Sequence, residues 1–121
     1  SKLKLLSIAL KNLELIVEKK TAIMFLNQAD LIKNNYRKGD SEGIVNYGLS
    51  LKGIHFSVIF IEDENEKNKF KISFRSKEDF PCNEFAFKFF NGGGHLNAAG
   101  GLYKGNLNIA IEYFKKSLNE F

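Results

Sequence analysis

The stretch IHFSVIFIEDENEKNKFKISFR, Ile54 to Arg75, decides the fold. Within it His55, Ser57 and Ile59 alternate with Phe56, Val58 and Phe60, the period of two that a strand imposes on its side chains. Glu62 to Asn68 is polar and charged, and beyond it Phe70, Ile72 and Phe74 alternate with Lys71, Ser73 and Arg75. Two alternating runs around a charged loop predict a β-hairpin.

On the N-terminal side, Thr21 to Leu26 is a short, nearly continuous apolar run, the pattern of a buried strand. Leu6, Ala9, Leu10, Leu13, Ile16 and Val17 recur at helical spacing and predict one amphipathic helix, with Lys19-Lys20 at its negative end. Gln28 to Asn34 carries a short helical pattern, and Ser41 to Tyr47 reads as a second short helix or an irregular turn, closed by Gly48. On the C-terminal side a helix starts near Asp79 with Pro81 in its first turn and runs to Phe89. Leu102 to Lys104 is a short strand, and Asn106 caps a last helix with the stripe Leu107, Ala110, Ile111, Phe114 and Leu118. The order α-β-α-α-β-β-α-β-α predicts a single compact α/β domain, a mixed sheet of about four to five strands flanked by helices.

Composition narrows the function. The chain has 121 residues, 18 Lys and Arg against 14 Asp and Glu, one Cys and two His. One Cys makes no internal disulfide, and two His with one Cys offer little to a zinc site. No apolar run approaches the ~20 residues of a membrane span, so the expectation is a cytoplasmic protein without a membrane partner. The basic residues are scattered lysines; only Arg37 and Arg75 are Arg. The net charge of +4 permits an anionic partner without demanding one.

Five of the ten glycines lie in Gly92-Gly93-Gly94-His95-Leu96-Asn97-Ala98-Ala99-Gly100-Gly101. Three glycines after a helix can form a loose C-cap. A glycine turn that runs into a helix start would instead present unpaired N–H groups to phosphate or carboxylate, with His95 as a further donor. Arg75 is either a bidentate phosphate ligand or a surface partner of Glu78 or Asp79. His55 reads as a structural histidine and Cys82 as packing. The aspartates Asp30, Asp40, Asp63 and Asp79 stand singly, so the chain carries no recognisable hydrolytic centre and no metal ligands of its own.

Gly92 to Gly100 resembles the GGGHxxAAG motif of the DHH-associated C-terminal domain, which follows an Asp-His-His catalytic domain in a large phosphoesterase superfamily. Asp40 to Tyr47 and Ser73-Phe74-Arg75-Ser76 fit in register, so the resemblance covers essentially the whole chain, residues 1–121. It is closest to the nanoRNase branch, which cleaves short oligoribonucleotides and 3′-phosphoadenosine 5′-phosphate (pAp). A related domain ends alanyl-tRNA synthetases as a non-catalytic RNA-binding module, but the His after the glycines is typical of the phosphoesterases. The resemblance implies that Arg75, Ser73, Ser76, Gly92, Gly93, Gly94, His95 and Asn97 contact substrate, short RNA or a nucleotide bisphosphate. It also implies that His95 lies near the scissile group and that Glu42 and Asn46 sit in a segment that shapes the cleft or orients the hairpin. It implies two manganese ions on an N-terminal DHH domain of the same polypeptide. Ser1 opens directly on a helix without an initiator Met, and the chain is expected to be a domain excised from that enzyme, inactive alone.

Overall fold

In the computed structural model, which describes residues 1–121, the chain runs α1 (Lys2–Lys11), β1 (Glu14–Ile16), a 3₁₀ turn (Val17–Lys19), β2 (Thr21–Leu26), α2 (Gln28–Lys33), α3 (Asp40–Ser50), β3 (Phe56–Glu62), β4 (Lys69–Ser76), α4 (Cys82–Phe89), β5 (Gly93–His95), β6 (Ala98–Lys104) and α5 (Leu107–Glu120). The strands form one mixed sheet in the order β1-β2-β3-β4-β6-β5, parallel only between β2 and β3. The α/β architecture is the expected one. The sheet has six strands rather than four to five, and the two unexpected strands are its edges.

At the first edge, the single helix predicted through Val17 is interrupted. α1 ends at Lys11, and the Asn12 side-chain amide donates to the Phe25 carbonyl at 3.2 Å. Glu14–Ile16 then pairs antiparallel with Thr21–Ile23, which fills hydrogen-bonding groups that β2 would otherwise leave open. Lys20 closes the tight return in the left-handed region, at φ 52°. Lys19 and Lys20 therefore sit on a strand connection, not at a helix end.

Alternation sorts the sheet into two cores. Phe56, Val58 and Phe60 on β3, with Phe70, Ile72 and Phe74 on β4, face α4 and α5, where Phe85, Phe90 and Phe114 complete the cluster. Met24, Leu26, Ile59 and Ile61 face the other way, against Leu5 and Ala9 of α1, Leu31 of α2, and Ile44 and Val45 of α3. Gly48 does not close its helix. α3 continues to Ser50, and Gly48 lies buried within it. A Cβ there would sit 2.5 Å from Ser57 Oγ and 2.6 Å from Met24 Cε, so glycine sets how closely α3 approaches the sheet. α4 likewise starts later than expected, at Cys82, with Pro81 as its cap. Asn106 caps α5 as predicted, its Oδ1 accepting from the Ile109 N–H at 2.9 Å.

The helices cover the sheet unevenly. α3 packs over β2, β3 and β4, whereas α4 packs over β4, β5 and β6 from the opposite side. The α3 side of β6 and β5 therefore carries no helix, and Leu102 of β6 is 50% exposed there. That bare face is where the chemistry gathers.

Candidate functional site

The glycine-rich segment is a β-hairpin, not a turn leading into a helix. Gly93 pairs with Gly100, Gly94 with Ala99 and His95 with Ala98, and Leu96-Asn97 form the tip. Isolated glycines have poor strand propensity, so the strand is imposed by its partner, β6, which in turn pairs along β4. No helix N-terminus stands behind these residues. The donors they offer are those of an edge strand whose outer side has no neighbour.

The glycines divide into two kinds. A Cβ on Gly92 would overlap the Gly100 carbonyl oxygen, and Gly94 has φ 148° with its Cβ position 2.6 Å from the Ala98 oxygen. Both are needed for the backbone to close. Gly93 is different: nothing lies within 4 Å of where its Cβ would be. Its lack of a side chain leaves open space rather than relieving a clash. Gly94→Ala is expected to destabilise the domain by about 1–3 kcal/mol, while Gly93→Ala leaves the urea midpoint unchanged or slightly raised. Parallel urea titrations of the two variants measure this difference.

Register assembles the rest. Directly paired residues in an antiparallel sheet project on the same face. Ser57, Arg75, Ala98 and His95 therefore form one row across β3, β4, β6 and β5, and Ile59, Ser73, Gly100 and Gly93 form the next. Across the helix-free part of this face, Arg75 and His95 flank a floor of Ala98, Gly100 and Gly93, with Ser73 beside it. The Arg75 guanidinium is anchored by one bond, Nη1 donating to the Phe74 carbonyl at 2.9 Å. None of the four ion pairs of the molecule involves it, so the expected alternative partners Glu78 and Asp79 do not hold it. Its other N–H donors remain without a protein acceptor. His95 is exposed on the edge strand.

Other expected residues lie elsewhere. Ser76 is only 4% exposed and its side chain projects to the face opposite Arg75. Its hydroxyl lies 2.7 Å from the Phe80 carbonyl and 3.2 Å from the Leu96 carbonyl, and accepts from Asn97 Nδ2 at 2.9 Å. Asn97 also donates to the Glu78 carbonyl at 3.2 Å, and its own carbonyl accepts from the Ser76 N–H at 3.1 Å. Together Ser76 and Asn97 staple the hairpin tip to the end of β4. Glu42 and Asn46 are exposed on α3 and make no side-chain hydrogen bond to the hairpin.

Cys82 is fully buried beneath the hairpin, where desolvation raises its thiol pKa against the lowering influences of Ser76 and Arg75. Burial of that kind keeps the thiol neutral and unreactive. No three His, Cys, Asp or Glu side chains come together as a group that could hold a metal ion. No helix is long and apolar enough to cross a membrane. A hollow of about 870 Å³ opens between α4 and β5, lined by Asn83, Glu84, Phe87, Lys88, Phe121 and the backbone of Gly93 and Gly94. It offers one cation beside one carboxylate and lacks the convergent donors of the Arg75 row.

Proteins of known structure share this fold. An exopolyphosphatase-related protein from Bacteroides fragilis superposes with a TM-score of 0.90 and 41% identity over 98% of this chain, which spans 34% of that protein. A pGpG-specific phosphodiesterase from Vibrio cholerae shares the fold, with a TM-score of 0.61 at 9% identity over 98% of this chain and 38% of its own. So does the C-Ala domain of Aquifex aeolicus alanyl-tRNA synthetase, with a TM-score of 0.54 at 14% identity over 88% of this chain and 96% of that domain. No curated protein sequence matches the chain. The DHHA1 domain family matches residues 18–121, everything after α1 and β1 but the start of the 3₁₀ turn, and the chain belongs to that family.

Proposed function

We propose that this domain is the phosphate-gripping part of a metal-dependent phosphoesterase of the nanoRNase branch, acting on short oligoribonucleotides or pAp in the cytoplasm. The observation that carries this reading is the helix-free row. It combines an Arg with free donors, a His on an open edge and a floor of Ala98 and two glycines, and Gly93 has no steric reason to be glycine. A planar guanidinium matches two phosphate oxygens at once, and a bare floor lets a phosphate approach the backbone. Donors fixed before substrate arrives stabilise the charge that grows on phosphorus oxygens in the transition state.

In this reading Arg75 clamps a substrate phosphate, Ser73 adds a hydroxyl, and Gly93 and Gly94 supply the backbone approach. His95 donates beside the scissile group. Gly92, Ser76 and Asn97 act through the hairpin they hold, and Glu42 and Asn46 belong to the cleft wall. The two manganese ions and their Asp and His ligands are assigned to an N-terminal DHH domain of the same polypeptide. The residues of this chain do not fit a metal. The names of the Bacteroides and Vibrio proteins keep the same chemistry in view, cleavage at phosphorus.

The test is turnover by the full-length polypeptide with Mn²⁺ on di- to pentaribonucleotides and on pAp. Release of mononucleotides or AMP is expected. A domain that worked like the synthetase tail would instead give no turnover, and the isolated chain would bind tRNA-length RNA with steep salt dependence.

A further inference from the structure

The strip of sheet that carries Arg75 continues past Ser73. On β4 the residues sharing Arg75's face are Ser73, Lys71 and Lys69, and on β6 their partners are Gly100, Leu102 and Lys104. The opposite face of the same two strands carries Phe70, Ile72, Phe74, Ala99, Gly101 and Tyr103, with no charge among them. Every cation of β4 therefore stands on the side away from α4 and α5, the side that holds the candidate site.

The three lysines of the strip differ in their partners. Lys69 and Lys104 both reach Glu66, each at 3.9 Å. Lys71 is exposed and takes part in no ion pair. Its cross-strand neighbours are apolar on both sides, Ile61 on β3 and Leu102 on β6. Three carboxylates, Glu62, Asp63 and Glu64, border a hollow with it at the β3–β4 loop. Two of them are committed to backbone. Glu62 accepts from the N–H groups of Gln28 and Asn68, at 2.7 and 2.9 Å, and Asp63 from those of Asn65 and Glu66, both at 2.9 Å. Glu64 alone is left as a competing charge.

We propose that Lys71 is a specificity-determining contact that binds a second substrate phosphate, beyond the one held at Arg75. The inference rests on the phosphate-gripping reading above and adds a residue to it. Arg75 and Lys71 are four residues apart on one strand and one face, about 14 Å along the strand. Both side chains are long enough to lean over Ser73 and close part of that span. Their head groups then bracket a nucleoside that carries a phosphate at each end, with Gly100 and Leu102 beside it as an uncharged floor. A compact ammonium on a flexible stem suits a phosphate whose position varies, whereas the planar fork of Arg75 fixes the phosphate it grips. Glu64 keeps the contribution of Lys71 modest.

The experiment compares Lys71→Ala with the unaltered full-length polypeptide on the diribonucleotide ApA, which has one phosphate, and on its phosphorylated forms pApA and ApAp. KM for at least one phosphorylated form is expected to rise roughly 3- to 10-fold. The slope of log affinity against log salt for that form is expected to fall by about 0.7, the loss of one single-strand phosphate contact. KM for ApA and kcat for all three are expected to stay within twofold. Lys71→Arg is expected to restore KM. Lys104→Ala, on the same face but paired with Glu66, is expected to change none of the three, which separates a contact from general surface charge. An equal rise on ApA and the phosphorylated forms would overturn the second contact, as would unchanged KM values and salt slopes throughout. A loss of ApA turnover on Arg75→Ala tests the primary reading by itself, so either failure of Lys71 leaves that reading standing.

Discussion

Arg75→Ala in the full-length polypeptide is expected to lower kcat/KM for a short oligoribonucleotide by roughly 100- to 1000-fold, the range found when a preorganised transition-state donor is removed. The size of the effect follows from the geometry. The guanidinium is fixed by the Phe74 carbonyl, has no carboxylate partner, and lies in the same row as His95 across two intervening strand pairings. Arg75→Lys restores the charge without the planar fork and is expected to recover only part of the loss. His95→Ala separates ground-state from transition-state binding. A donor at the scissile group lowers kcat with little change in KM, whereas a donor to a spectator phosphate raises KM alone. Steady-state kinetics of the three variants, each checked for an unchanged unfolding midpoint, measure these effects.

The second large effect is on stability. Phe56→Ala is expected to destabilise the domain by about 3–5 kcal/mol, enough to consume much of the stability of a domain this size. Phe56 is 1% exposed, and its ring lies 4.4 to 6.0 Å from those of Phe74, Phe80, Phe85 and Phe114. It therefore joins the central strands to both α4 and α5. Removing the ring leaves a cavity that these neighbours, themselves close-packed, can fill only partly. Denaturant unfolding monitored by far-ultraviolet circular dichroism gives the change directly. Phe87→Ala is the matched control, since Phe87 is 77% exposed and its loss is expected to cost little.

The central hairpin was legible because its two faces differ in residue type. Phe56, Val58 and Phe60 oppose His55, Ser57 and Ile59, and the observed register pairs Phe56 with Ser76 and Phe60 with Ile72. The edges were not legible, for two physical reasons. Leu13, Ile16 and Val17 satisfy a helical stripe, yet a short apolar run serves a strand equally well, and pairing with β2 decides between them. Gly93-Gly94-His95 contains nothing that favours a strand, and only its partner β6 makes it one.

The candidate site divides in the same way. Arg75 and the Gly92–His95 segment stand out by residue type and motif. The row that joins them is a property of register across four strands, which no local pattern contains. Ser76 and Asn97 share the motif but turn to each other as a structural staple.

The most direct test is a crystal structure of the full-length polypeptide with a non-hydrolysable phosphorothioate dinucleotide. A phosphate is expected within hydrogen-bond distance of the Arg75 guanidinium, over the floor of Gly93 and Gly100, with His95 beside the bridging group. A ligand seated instead in the hollow between α4 and β5, against Asn83 and Phe87, with Arg75 still bare, would contradict the assignment of the site.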